Sequence, residues 1–383
     1  MKTLKLVFGL ICLVILAGNI VTMARWSEAR GVYDDICYLR QAHLFQRFGA
    51  GGIDTDASRD DDRYFEGKLK DIAFAEWKEP ARWPCHTPMP GGKTVLQYPP
   101  GTGALLALFP AGQQVVPLYV SASLIVCGLA LLGILAARTP PLIAGAGAFG
   151  ALAVYLMINP AKASYSIAPT MAVCALAGFL TAWWLVKARQ SLWPVILIGL
   201  LLGGSVNFRL PNALLAAGYF LFLGVLFIWS RKLITFAQGL GFGTAVLAGM
   251  APTLIAQAIN AGRPLRTTYG SADVVAPEFN MGVFLQYLHD MQFVLVVLAI
   301  GATAWLLRPS GGGVRQVALV AAGNLLINLL FFLSHPIFTP YYIVPIAMLS
   351  LWSLSFAALM QPAEATEGVM LCHEPASVGA MPQ

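Results

Sequence analysis

Two adjacent carboxylates, Asp34 and Asp35, stand just beyond the first long apolar run, in the stretch Tyr-Asp-Asp-Ile-Cys-Tyr-Leu-Arg-Gln-Ala-His-Leu-Phe. A carboxylate at a membrane–water boundary loses part of its hydration, and its pKa rises toward the range useful in a general base. Such a base takes the proton of an acceptor hydroxyl as that oxygen attacks a sugar carbon, while a neighbouring carboxylate orients the first or binds a metal. The same pair has a plainer use. Ile36, Leu39 and Leu44 recur at helical spacing, so the two aspartates would cap an amphipathic surface helix and favour its positive dipole end. A second acidic cluster follows, Asp54 and Asp56, then Asp60, Asp61 and Asp62. Asp-x-Asp spacing can hold a divalent cation (Mg or Mn) against a phosphate, with Asp60 and Asp62 as the candidate ligands. The competing reading is a hydrated loop that follows Gly49, Gly51 and Gly52.

The cations that would answer a phosphate lie later in the chain. Arg209, in Asn207-Phe208-Arg209-Leu210-Pro211-Asn212, sits between two apolar runs. It is either an arginine snorkelling to the headgroup level or a clamp that grips a phosphate with two parallel hydrogen bonds. Arg263 and Arg266, with Thr267, Thr268 and Tyr269, place positive charge where the loop bias disfavours it, and a bound anion is the economical explanation. Tyr98 opens Tyr98-Pro99-Pro100-Gly101, a rigid entry turn able to hold a tyrosine at the interface. His335 opens the last polar connection beside Tyr341 and Tyr342, where an interfacial aromatic belt competes with a role in a site.

The elements that must position these residues are set by composition. The chain has 383 residues, 58% of them hydrophobic and 11% charged, with a mean hydropathy of +0.71, too few charges to cover a water-soluble domain. Continuously apolar runs exclude an outer-membrane barrel, whose strands alternate. We expect an all-α polytopic membrane protein with about ten spans, at 6–23, 115–137, 142–158, 166–186, 192–206, 213–229, 233–259, 291–307, 317–333 and 342–359. A short apolar stretch at 101–110 is half-inserted. The domain plan is a first helix over 1–24, not cleaved despite its likeness to a signal peptide, and then an outer segment over 25–100 with amphipathic helices. A multi-span bundle over 101–360 and a disordered cytoplasmic tail over 361–383 complete it. Residues 25–100 hold 12 of the 18 acidic residues, which concentrates the polar chemistry on one side.

The connecting charges orient the bundle. With the amino terminus cytoplasmic, the cytoplasmic connections carry Lys2, Lys5, Arg138, Lys187, Arg189, Arg231, Lys232, Arg308 and Arg315, with no acidic residue before the tail. Ten spans return the carboxyl terminus to the cytoplasm. The net charge of +6 reflects these connections and not a nucleic-acid surface, because no basic cluster is interleaved with aromatics. Of six cysteines, Cys12, Cys127 and Cys174 fall in spans as packing residues and Cys372 in the tail. Cys37 and Cys85 both lie in the polar segment, where an oxidising compartment would let them pair, although spacing alone leaves the pairing open. The spans contain essentially no acidic residue and no internal repeat, which weighs against a transporter or flippase of a lipid-linked or anionic solute. A non-catalytic subunit of envelope polysaccharide assembly, and a polymerase or ligase, remain as rivals.

Taken in order, these motifs resemble the GT-C superfamily of membrane glycosyltransferases, which includes protein mannosyltransferases and the lipid A aminoarabinose transferases. Asp34-Asp35-x-x-Tyr38, with Ala42 four residues on, is similar to the family's opening motif, and Tyr98-Pro99-Pro100-Gly101 to its turn before the second span. Asn207 to Asn212 resembles its arginine-proline-asparagine segment, and Arg263-Pro264-Leu265 with Thr268-Tyr269-Gly270 an outer-loop motif of bacterial members. Pro340-Tyr341-Tyr342 with Pro345 resembles its closing helix. The resemblance implies an inner-membrane enzyme that moves a sugar from a polyprenyl-phosphate donor to an extracytoplasmic glycan, lipid or protein acceptor. It makes Asp34 the base, Arg209, Arg263 and Arg266 candidates for the donor phosphate, and a soluble cofactor unnecessary. The short tail departs from members that carry a soluble outer domain, which leaves acceptor recognition to the first loop.

Overall fold

The computed structural model describes residues 1–28, 33–159, 161–270, 276–308 and 312–361. The described chain is mostly helical, with 14 α-helices. Helix α1 (Lys2–Met23) leads to a polar segment containing α2 (Tyr33–Phe48), α3 (Tyr64–Asp71) and an antiparallel hairpin of β1 (His86–Pro88) and β2 (Thr94–Leu96), in which Thr87 faces Val95. The hairpin is a small departure from the all-α expectation. Then come α4 (Gly101–Leu106), α5 (Val115–Ala136), α6 (Pro140–Tyr155), α7 (Ile167–Lys187), α8 (Trp193–Val206), α9 (Ala217–Ser230) and α10 (Leu233–Ala261). The chain closes through α11 (Met281–His289), α12 (Phe293–Leu307), α13 (Gly312–Leu333) and α14 (Ile343–Met360). The tail expected beyond residue 361 lies outside the described residues.

Each of the ten expected apolar runs is helical, but length supports fewer crossings. Among the described residues 7 helices are long and apolar enough to cross a membrane, or 8 if α11 and α12, bent by 82°, count as one span. Helices α6 and α8 have 16 and 14 residues, short of the ~20 that span a hydrocarbon core. The reason is local. Leu156, Met157 and Ile158 are apolar, yet they form turns after α6, and a hydropathy run counts them as span. Helices α7 and α14 form the buried centre, and α14 packs on α7, α12 and α13. Helices α8 and α10 approach most closely at Gly203, where a Cβ would collide with the Val246 carbonyl, in keeping with small residues at helix contacts in membranes.

The polar segment has its own core of Ile36, Cys37, Phe65, Leu69, Trp83 and Leu96. Helix α2 is therefore not the half-exposed surface helix its spacing implies: Asp35 through Ala42 are all buried. Arg40 is fully buried in this core. Its guanidinium donates to the carbonyls of Thr55 (2.9 Å) and Asp56 (3.0 Å), lies 3.8 Å from Asp60 Oδ1, and sits over the rings of Phe65 and Trp83. Burial lowers its pKa to about 10, which leaves it charged at neutral pH, and Asp60 offsets the loss.

Cys37 and Cys85 form a disulfide, with Cα atoms 6.4 Å apart, which ties α2 to the hairpin. It closes a sequence separation of 48, for which loop entropy predicts about 4 kcal/mol of stabilisation. Reduction, or a Cys37→Ala/Cys85→Ala chain, should therefore lower the melting temperature in detergent and open residues 25–100 to protease. Unchanged melting and digestion would show that the bond does not hold the segment.

His86 supplies a second test. Its ring is buried against Phe65 (5.1 Å) and Trp83 (5.5 Å), Nδ1 lies 2.8 Å from the Pro84 carbonyl, and Nε2 has no partner. Burial first, and then the Arg40 charge, hold its pKa well below 6.5. A depressed pKa means that stability is intact above about pH 6.5 and is lost as pH falls, because only the unfolded ring takes up the proton. The slope is about 1.4 kcal/mol per pH unit. Denaturation measured from pH 7 to pH 4 should show this loss, and His86→Phe should flatten it. An equal acid slope in both chains would sink the assignment.

Candidate functional site

The site begins at the first turn of α2. Asp34 and Asp35 lie side by side in sequence, but Asp35 is fully buried whereas Asp34 is only partly so. Tyr38, one helical turn beyond Asp34, shares its face. The Tyr98 hydroxyl donates to Asp34 Oδ1 at 2.5 Å, and the Tyr98 ring stacks on Tyr38 with centroids 4.8 Å apart. Tyr269 meets Tyr98 edge-on at 6.3 Å. Burial, the largest cause in each case, raises the phenol pKa of Tyr38, Tyr98 and Tyr269, and the Asp34 carboxylate raises all three further. Tyr98 thus stays a proton donor to Asp34 across the working pH range.

Tyr98 is held by a close backbone approach. The Gly101 N–H donates to the Asn207 carbonyl at 2.7 Å, and a Cβ on Gly101 would sit 2.7 Å from that same oxygen, so only glycine fits. Asn207 in turn reaches α10 beside Pro252, which lacks the N–H a helix needs. Asn207 Oδ1 accepts from the Thr253 N–H (2.9 Å) and hydroxyl (2.7 Å), while its Nδ2 donates to the Gly249 carbonyl at 2.7 Å. One carboxamide serves the Gly249 carbonyl and the Thr253 N–H beside the proline and fixes the connection that carries Arg209. A second fastening joins the polar segment to the end of α10. Asn260 Oδ1 accepts from the Thr55 N–H (2.9 Å), and Asn260 Nδ2 donates to the Ile53 carbonyl at 2.8 Å. The Thr268 hydroxyl donates to the Gln97 carbonyl at 2.8 Å.

Arg209 is 8% exposed. Its guanidinium lies over Tyr342 at 4.3 Å and Tyr341 at 4.7 Å, a cation–π cage, and its Nη1 has no hydrogen-bond partner. A narrow crevice of about 10 Å³ beside it, lined by Asn212, Phe332, Tyr341 and Tyr342 among others, has room for about one water. Asn212 is held by its own Nδ2, which donates to Thr170 Oγ1 (2.9 Å) and the Ser205 carbonyl (2.9 Å). The Arg209 cation lowers and the Asp34 anion raises the phenol pKa of both Tyr38 and Tyr269, so the two charges lie within electrostatic reach of the same rings. A buried guanidinium with an unused N–H can receive an anion, and a half-buried carboxylate can receive a proton.

Of the residues singled out in the sequence, Asp34, Tyr38, Tyr98, Arg209 and Tyr269 come together. Asp35 is turned into the buried side of α2. Arg263 and Arg266 are exposed on the turn after α10 and not among the buried rings. His335 packs on Phe331 at 5.9 Å at the end of α13, with its Nδ1 unpaired. Asp60 and Asp62, the candidate cation ligands, are both engaged by protein groups. Asp60 accepts from the backbone N–H of Phe65 (3.0 Å) and Glu66 (3.4 Å) at the start of α3, and Asp62 Oδ2 lies 2.6 Å from His43 Nε2. Asp61 pairs with Arg47. Among the described residues no group of three or more His, Cys, Asp or Glu is placed to hold a metal ion. The aspartates serve as a helix cap and as ion-pair partners. Tyr341, Tyr342 and Asn207 are the members that sequence reasoning missed. The tyrosines are indistinguishable from an interfacial belt in sequence, and Asn207 was merely a neighbour of Arg209. Comparison with family models, curated proteins and solved structures finds no match.

Proposed function

We propose that the protein is a bacterial inner-membrane glycosyltransferase that uses a polyprenyl-phosphate sugar donor. In this reading ten apolar segments cross or enter the bilayer, both termini are cytoplasmic and residues 25–100 face outward. Basic residues on the opposite connections support that orientation, as does the disulfide, which suits an oxidising compartment. Asp34 takes the proton of the acceptor hydroxyl as the oxygen bonds to the anomeric carbon. The bond from that carbon to the phosphate oxygen breaks, its electrons stay on the lipid phosphate, and the sugar inverts. Arg209 receives the departing phosphate, and Tyr98 fixes the orientation of Asp34. No soluble cofactor takes part.

The observation that carries this reading is that Asp34, held by Tyr98, and Arg209, seated over Tyr341 and Tyr342, both act electrostatically on Tyr38 and Tyr269. Supplying labelled sugar on native polyprenyl-phosphate donors to membranes with and without the protein tests it. Transfer that depends on the protein is the expected result. No transfer, with donors and acceptors shown to be competent, would remove the enzyme reading.

A further inference from the structure

Helix α11 is long enough to join α12 as one apolar span by composition, yet it turns away from α12 by 82°. Both ends of the break are built. The Asn280 side chain accepts from the N–H groups of Gly282 (2.9 Å) and Val283 (3.1 Å) to start α11. Asp290 Oδ1 accepts from the Gln292 N–H at 2.8 Å to start α12 afresh. If α12 follows the membrane normal, α11 lies nearly in the membrane plane.

Its sequence has three faces. Val283 and Tyr287 turn inward; Tyr287 is fully buried on Phe338 at 4.9 Å, and its hydroxyl accepts from the Thr339 N–H at 3.0 Å. Met281, Leu285 and Leu288, at spacings of four and three, form an apolar row that is 57%, 44% and 43% exposed. Phe279 and Met291 extend it at either end, 60% and 79% exposed. Gln286 and His289 make a third, polar and exposed face. A helix with one side on protein, one apolar side open and one polar side open fits the boundary between lipid and water.

We propose that α11 is an in-plane interfacial helix whose Met281, Leu285 and Leu288 row seats in the headgroup–acyl boundary of the adjacent lipid leaflet. The partner is the phospholipid surface itself. Helix α12, next along the chain, also exposes apolar side chains (Val294, Val297 and Leu298), while the polar face of α11 provides the water-side edge that a protein-covered helix would not need. Through Thr339 the helix also sets the height of the turn Pro340–Tyr342, which carries the cage of Arg209. The depth of the Arg209 crevice relative to the lipid headgroups is then fixed by α11. This inference needs only a bilayer and stands apart from sugar transfer.

The test places the fluorophore NBD at L285C, L288C or Q286C in the full chain, with Cys372→Ser, in vesicles of phosphatidylcholine and phosphatidylglycerol. At Leu285 and Leu288 the label should lose most of its emission to phospholipid carrying a doxyl group high on the acyl chain and be shielded from aqueous iodide. At Gln286 the two quenchers should exchange roles. Iodide quenching that is equal at Leu285, Leu288 and Gln286 would overturn the proposal by placing the row in water. Shielding of the Leu285 and Leu288 labels from both quenchers would overturn it by showing a protein partner on the row.

Discussion

Under the proposed function, Asp34→Asn should reduce sugar transfer by about 10²–10⁴-fold in kcat, with little change in KM for the donor, because general-base assistance is worth that much. The substitution is gentle. An asparagine oxygen can still accept the Tyr98 hydroxyl that now donates to Asp34 Oδ1, and the stack of Tyr98 on Tyr38 is untouched. What is lost is the ability to take a proton. A purely structural Asp34, favouring the positive dipole end of α2 from its first turn, predicts something else: about 0.3–1 kcal/mol of stability and normal turnover. Initial rates at saturating donor, with the melting temperature measured alongside, separate the two. A parental rate in a folded Asp34→Asn chain would remove Asp34 from the chemistry. Asp35→Asn is a poor stand-in, because Asp35 is fully buried and its replacement disturbs the interior of the polar segment.

Arg40→Ala should cost about 3–5 kcal/mol, the usual penalty when one partner of a buried charged network is removed. The loss leaves the carbonyls of Thr55 and Asp56 without their donor and Asp60 without its neighbouring cation. Burial raises the pKa of the Asp60 carboxyl, and the backbone N–H groups and Arg40 work against that shift. The polar segment should become sensitive to protease while the apolar helices stay intact. Transfer should fall with it, since α2 carries both Arg40 and Asp34. The double change Arg40→Met/Asp60→Asn, which leaves a capping side chain at residue 60, should recover part of the loss relative to Arg40→Met alone. Equal protease resistance in the Arg40→Ala and parent chains would show that this buried cation does not organise the segment.

Much of the helical architecture is visible in the amino-acid order, because apolar runs of span length must satisfy their backbone internally. What is not visible is where a run stops being helix. Leu156 to Ile158 and the bend at Asp290 to Gln292 are set by turn hydrogen bonds that hydropathy does not record. The site follows the same division. Asp34, Tyr98 and Arg209 stand out because charge and proline are conspicuous beside apolar runs. Arg40 does not, since an arginine in a polar segment reads as surface, and only the packing of Phe65 and Trp83 around it shows otherwise. The pairing of Cys37 with Cys85 depends on how α2 meets the hairpin, which spacing alone leaves undetermined. Arg263 and Arg266 carry the right charge for an anion, yet they sit on an exposed turn, and residue type alone gave no way to separate them from Arg209.

The fastening of Thr55 to Asn260 joins positions separated by 205 in the chain. A ribosome adding about 5–20 residues per second would need roughly 10–40 seconds to cover that distance. For that interval the early polar segment has its disulfide partners in reach but not the Asn260 on which it docks. Newborn chains therefore carry an unseated segment. A chain halted before α10 would display that waiting state for as long as it survives, and the site is complete only once Tyr341 and Tyr342, just before α14, have been made.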